Sequence, residues 1–109
     1  MDSPILRVNY KPQLPPKMDY GIGIIGCGGI VNYGHLPAYR KHNLNVVGCF
    51  DVKREAAEKT AQQHGIPKVY NSLEALLDDE SIQIVDIAVQ PWRQRPVAEQ
   101  ALAAGKHLL

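Results

Sequence analysis

Little in this chain points toward a membrane, an extracellular setting or a polyanionic partner. Two cysteines, Cys27 and Cys49, are too few for the disulfide framework of a small secreted domain, and they form no metal-site pattern. A single bridge between them is conceivable on spacing, because both fall at the ends of neighbouring predicted strands; the favoured reading is two small buried hydrophobes. No apolar run approaches membrane-span length, and no secretory apolar segment follows Met1-Asp2-Ser3, so a cytoplasmic protein is expected. The net charge is only +1, and the twelve basic residues are scattered without aromatic interleaving on one face. That pattern gives no ground for nucleic acid or an anionic membrane as partner. No two of the four histidines stand at metal-ligand spacing, so no metal is expected.

What is present is the composition of an ordinary globular domain, 45% apolar and 21% charged over 109 residues. That length accommodates one domain, burying roughly two-thirds of its unfolded surface. Residues 1–19 carry prolines at 4, 12, 15 and 16 and show no sustained period. They read as an arm, expected to be mobile when the domain stands alone. The folded domain is expected over 20–109.

Strand and helix signals alternate from Tyr20 onward. Strand one is expected over about 20–26, followed by a helix that Pro37 makes short or bent, with Lys41 and His42 suiting its negative end. Strand two, Asn45 to Phe50, is mostly apolar, as a strand covered on both faces would be. A helix from about Lys53 to His64 stops at Gly65, with Pro67 beyond it. Lys68-Val69-Tyr70 makes a short third strand. Asn71 is expected to cap the next helix, with Glu74 reaching back. Strand four runs from Ile82 to Val89, and its Asp86 reads as a solvent-side residue near the strand's start. Pro96 starts the last helix, Gly105 ends it, and Lys106-His107-Leu108-Leu109 opens strand five. Asp78-Asp79-Glu80 reads as an acidic loop only.

Repeated strand–helix–strand units with short connections predict an α/β fold, a Rossmann-type doubly wound parallel sheet in the order 3-2-1-4-5, incomplete at its C-terminal side. Ligands of such sheets sit outside the carboxyl ends of the strands where the order reverses. Gly26–Gly29, Asp51 and Val89–Trp92 all fall there. Gly21, Gly23 and Gly26 satisfy G-x-G-x-x-G literally, but the first two lie within strand one and read as close packing. The productive register starts at Gly26 for the tight turn, with Gly28 for close approach to phosphate and Val31 where Gly or Ala is usual. A glycine turn, a helix start and a carboxylate after strand two are what a dinucleotide needs.

These residues carry a family resemblance. Gly-Ile-Ile-Gly-Cys-Gly-Gly-Ile (23–30), Gly34-His35-Leu36-Pro37-Ala38, the strand ending at Asp51, Ala88-Val89-Gln90-Pro91 and the 101–109 segment ending Gly-Lys-His-Leu-Leu resemble the N-terminal domain of the Gfo/Idh/MocA oxidoreductases, named for glucose–fructose oxidoreductase and inositol dehydrogenase. The resemblance implies an NAD(P)-dependent two-domain enzyme moving hydride between nicotinamide and a CH–OH carbon of a sugar, cyclitol or related polyol. It implies that Gly26, Gly28 and Gly29 cradle the pyrophosphate, with Ile30 and Val31 lending backbone N–H groups. Asp51 would bind the adenosine ribose and favour NAD over NADP, with Lys53 and Arg54 close enough to blur the choice. Ala88, Val89, Gln90 and Pro91 would pass beneath the bridge between adenosine and nicotinamide, and Trp92 would stand near the nicotinamide or the substrate mouth. No catalytic residue is expected here: the family's Glu-Lys-Pro lysine would fall just beyond Leu109. The chain therefore reads as a fragment, inactive alone, whose second domain holds the substrate pocket and any oligomer contact.

Other readings stand beside these. Asp51 also suits a helix cap, a role compatible with ribose binding. Trp92 equally suits packing between domains. His35 reads as structural, and His42, His64 and His107 as surface or capping residues. The chain as a whole could be a non-catalytic dinucleotide sensor, or an S-adenosylmethionine-dependent transferase, since this fold hosts many activities.

Overall fold

The computed structural model describes residues 20–109; the expected arm at 1–19 lies outside them. Five parallel strands form one sheet: β1 (Gly21–Ile25), β2 (Asn45–Phe50), β3 (Lys68–Val69), β4 (Ile84–Ile87) and β5 (His107–Leu108), in the order β3-β2-β1-β4-β5. This is the doubly wound order expected from the sequence. β1 is central and buried along its whole length. Its alternate side chains feed two separate cores. Ile22 and Ile24 join Cys49, Val31 and Ala57 on one face, while Ile25 joins Leu76, Val85 and Ala101 on the other. Cys27 and Cys49 are buried, free thiols. Gly21 and Gly23 are packing glycines: a Cβ at Gly21 would lie 1.9 Å from the Ser81 carbonyl oxygen, and one at Gly23 would lie 2.9 Å from the Ile82 side chain.

The helices are α1 (Leu36–Lys41), α2 (Arg54–His64), α3 (Leu73–Asp78) and α4 (Pro91–Ala103). A π-helical stretch, Val31–His35, leads into α1, with the Leu36 N–H reaching the Val31 carbonyl. Wide turns of this kind accommodate an extra residue within a helix, and this one runs directly into α1, whose second residue is Pro37. The expected short or bent helix is thus a π turn joined to an α turn. Gly65 ends α2 in a left-handed conformation, φ 70°, as its sequence signal requires.

Four expectations are corrected. Ser72, not Asn71, caps α3, accepting the Ala75 N–H at 3.0 Å; the Asn71 side chain instead accepts from the Arg54 guanidinium. α4 begins at Pro91, and Pro96 lies inside it. Pro91 satisfies the same first-turn preference that was assigned to Pro96, and the buried Val97 and Ala101 hold the helix on its core past the missing N–H. β4 is shorter than 82–89, although Ile82 remains buried before it. Asp86 lies within β4 and is buried, accepting hydrogen bonds from His35 Nδ1 and Tyr39 OH, each at 2.7 Å. Two donors compensate the desolvation of that carboxylate, and they fix the π stretch and α1 over the sheet.

The acidic loop is also more than solvated charge. The Asp79 carboxylate accepts from Lys68 Nζ, Tyr70 OH and both the N–H and hydroxyl of Ser81. The largely buried Lys106 Nζ donates to the Asp79 and Ile82 carbonyls at 3.0 and 2.6 Å. The bonds to the carboxylate itself, from the Ser81 hydroxyl foremost, then Tyr70, Lys68 and the Ser81 N–H, hold the Asp79 carboxyl well below its ordinary value of 3.8. A carboxylate depressed in the folded state stabilises fully above its unfolded value and loses that contribution as pH falls below it. Asp79→Asn should therefore cost about 1–2 kcal/mol at neutral pH. The gap from the parent in denaturant titrations should shrink below pH 3.8.

Candidate functional site

The carboxyl ends of β1, β2 and β4 open on a cavity of about 370 Å³. Its floor is set by Gly26, which takes φ 99° immediately after β1 and donates its N–H to the Phe50 carbonyl at 2.8 Å. An L side chain is strained at that φ, and a Cβ there would stand 2.4 Å from the Ala88 carbonyl oxygen. The chain can therefore turn here, against β4, only as glycine. Gly28 and Gly29 differ: a Cβ on either would meet nothing within 4 Å. They border open space, in front of the helix start, where first-turn N–H groups lack carbonyls four residues back.

Asp51 joins two loops at the cavity edge. One carboxylate oxygen accepts the Cys27 N–H and the other the Lys53 N–H, both at 2.8 Å. The second bond steadies the entry to α2, whose N-cap is Lys53. Beside the turn, the Cys27 thiol is raised far above its ordinary value, first by its hydrogen bond to the Cys49 sulfur and then by burial. It stays a neutral packing group, as the sequence suggested.

Of the residues singled out from sequence, Gly26, Gly28, Asp51, Ala88, Val89 and Gln90 line this one cavity. Ile30 is exposed beyond its lining, and the Val31 side chain is fully buried in the core. Pro91 is the first residue of α4, and Trp92, next to it, is 74% exposed. Among the described residues no group of His, Cys, Asp or Glu is placed to hold a metal ion, and no helix is long and apolar enough to cross a membrane.

Two contributors were missed. Arg93 lines the cavity from the first turn of α4; starting that helix at Pro96 had left it in a loop. Asn32 folds back beneath the turn, its amide nitrogen donating to the Cys27 carbonyl at 3.3 Å and the Gly28 carbonyl at 2.8 Å. Its amide oxygen accepts from the Thr60 hydroxyl and His64 Nε2, each at 3.1 Å. Burial, with Arg40 adding, lowers the His64 pKa and favours the neutral ring, which can donate to the Asn32 oxygen from Nε2.

Residues 20–109 match the family described as an oxidoreductase family with an NAD-binding Rossmann fold. The chain belongs to the Gfo/Idh/MocA family. Membership makes NAD the cofactor class of this fold and sets aside the transferase reading. The chain is similar to trans-1,2-dihydrobenzene-1,2-diol dehydrogenase of Mus musculus, 36% identical over 92 residues, covering 80% of this chain and 27% of that protein. An oxidoreductase of Thermotoga maritima superposes with a TM-score of 0.79 at 30% identity, over 83% of this chain and 28% of that one. The UDP-N-acetylglucosamine 3-dehydrogenase GnnA of Acidithiobacillus ferrooxidans does so with a TM-score of 0.70 at 28% identity, over 81% and 27%. The chain thus spans little more than a quarter of the length of these relatives.

The two kinds of glycine separate in a paired test. Gly26→Ala should lower stability by more than ~1 kcal/mol, because both φ and space oppose a side chain. Gly28→Ala should leave stability within ~0.5 kcal/mol yet weaken NADH binding, because its methyl enters the space the turn borders. Thermal melts beside NADH fluorescence titrations of both variants check this.

Proposed function

We propose that this chain is the cofactor-binding part of an NAD-dependent oxidoreductase acting on CH–OH groups of a sugar, cyclitol or related polyol. The observation that carries this reading is the meeting of the Gly26 turn, Asp51 and the 88–90 segment around one cavity at the switch point of the sheet. NAD, when bound, supplies the hydride acceptor. The open space in front of Gly28 and Gly29 suits a pyrophosphate, with the N–H groups of Gly29, Ile30 and Val31 facing its charge. Asp51 accepts the adenosine ribose hydroxyls. Its carboxylate repels a 2′-phosphate, which favours NAD over NADP.

The neighbouring cations bear on that choice. Arg54 is engaged by Glu58 at 2.8 Å and by the Asn71 amide oxygen, which turns it away from a 2′-phosphate. Lys53 lines the cavity and remains the closer competitor. The stretch Ala88–Pro91 passes beneath the nicotinamide half, with Trp92 at the rim. The chain spans little more than a quarter of the length of its relatives, and its own part in the reaction is to bind the cofactor. The relatives' names, a dihydrodiol dehydrogenase and a UDP-sugar 3-dehydrogenase, support oxidation at an alcohol carbon.

Titrating the chain with NADH and NADPH tests the reading. NADH should bind at least ~10-fold more tightly, a difference of ~1.4 kcal/mol. Asp51→Ser should weaken NADH and bring the two affinities together. A folded chain that binds neither nucleotide overturns the proposal.

A further inference from the structure

A turn of consecutive glycines has a weakness as an anion site. Without side chains, the peptide between Gly28 and Gly29 has more orientations open to it than one between substituted residues, and one orientation points a carbonyl, rather than an N–H, at the anion. No packed group lies within 4 Å of either Cβ position, so the main chain restrains this peptide only through the bond from the Asn32 N–H to the Gly28 carbonyl at 3.1 Å. The usual third glycine or alanine of the fingerprint is also replaced here, and Val31 is spent wholly on the core. Some other group must set the turn.

We propose that Asn32 is that positioning residue, its amide pinning the Cys27 and Gly28 carbonyls away from the anion so that the turn's N–H groups face it. The assignment rests on the dinucleotide reading above. The Gly28 carbonyl is held twice, by the Asn32 side chain and by the Asn32 backbone N–H at 3.1 Å. The Cys27 peptide is held at both ends, its carbonyl by Asn32 and the next N–H back, its own, by Asp51.

The amide cannot serve equally well reversed. Its nitrogen faces two carbonyls, which can only accept, so a reversed amide would set oxygen against oxygen; its oxygen meets the Thr60 hydroxyl and His64 Nε2, both able to donate. Thr60 is 2% exposed, on a helix whose other buried residues are Ala57 and Ala61. A hydroxyl is tolerated there because Asn32 accepts from it. α2 thereby presets the phosphate turn through one side chain.

Binding of ADP and of adenosine to the full chain, measured by calorimetry, tests the assignment. Both ligands reach Asp51, but only ADP engages the turn. In Asn32→Ala, ADP affinity should fall ~5–10-fold, the worth of one to two hydrogen bonds, while adenosine stays within ~2-fold. Thr60→Val keeps the shape of the core and leaves Asn32 in place, so it decides the matter should Asn32→Ala fail to fold; its ADP-to-adenosine preference should fall ~2–3-fold. An unchanged preference in folded Asn32→Ala, or in Thr60→Val where that variant decides, or an equal loss for both ligands, overturns the positioning role alone. A parent chain that binds ADP no better than adenosine overturns the dinucleotide reading and this assignment with it.

Discussion

A single carboxylate couples the parts of this site. Asp51 stands at the end of β2 and holds the Cys27 N–H of the glycine turn with one oxygen and the Lys53 N–H at the head of α2 with the other. The turn after β1 and the helix after β2 therefore cannot move independently at the cavity edge. A carboxylate has about four acceptor directions, and two are used here. Holding the two loops and receiving a ligand need not compete: two acceptor directions organise the protein, and the others remain for a ligand. The same economy operates on the other side of the turn, where Asn32 answers four partners at once.

These local bonds work because the sheet beneath them is rigid. β1 is flanked by β2 and β4 and covered on both faces, so the Gly26 turn emerges from the most thoroughly buried strand of the domain. The π stretch after it is fixed in turn by Asp86 on β4, through His35 and Tyr39. Burial, together with the Asp86 bond, raises the Tyr39 phenol above its ordinary range, which keeps it a donor. A buried carboxylate with two donors is a costly but directional fixture; it ties the first helix to the central strands rather than merely resting it on them.

The elements legible in the sequence were those written in local pattern. Strand order followed from alternating strand and helix signals, and the productive glycine register followed from the Ile22, Ile24 and Ile25 pattern within β1. What escaped were polar partnerships between residues far apart in the chain. Asp86 meets His35 and Tyr39 across 51 and 47 positions, and Asn32 meets Thr60 and His64 across 28 and 32. No periodicity announces such pairs. Where two residues shared one local aptitude, pattern could not choose between them. Asn71 and Ser72 both suit a helix cap, and the outcome was decided by Arg54, which occupies Asn71. Pro91 and Pro96 both suit a helix start, and the error at Pro96 also concealed Arg93.

Apart from Asp86 and its partners on β4, the polar fixtures fall into two groups at opposite ends of the sheet. Around the loop before β4, Asp79 and Lys106 gather β3, the loop itself and the approach to β5. That group faces no cavity element of the cofactor site, so its bonds are spent on stability. At the carboxyl ends, Asp51 and Asn32 order the glycine turn that borders the cavity. A domain stabilised independently at one end can keep a turn of bare glycines at the other. The Gly28–Gly29 segment remains open, with nothing packed on its Cβ positions, because the fold does not depend on filling it.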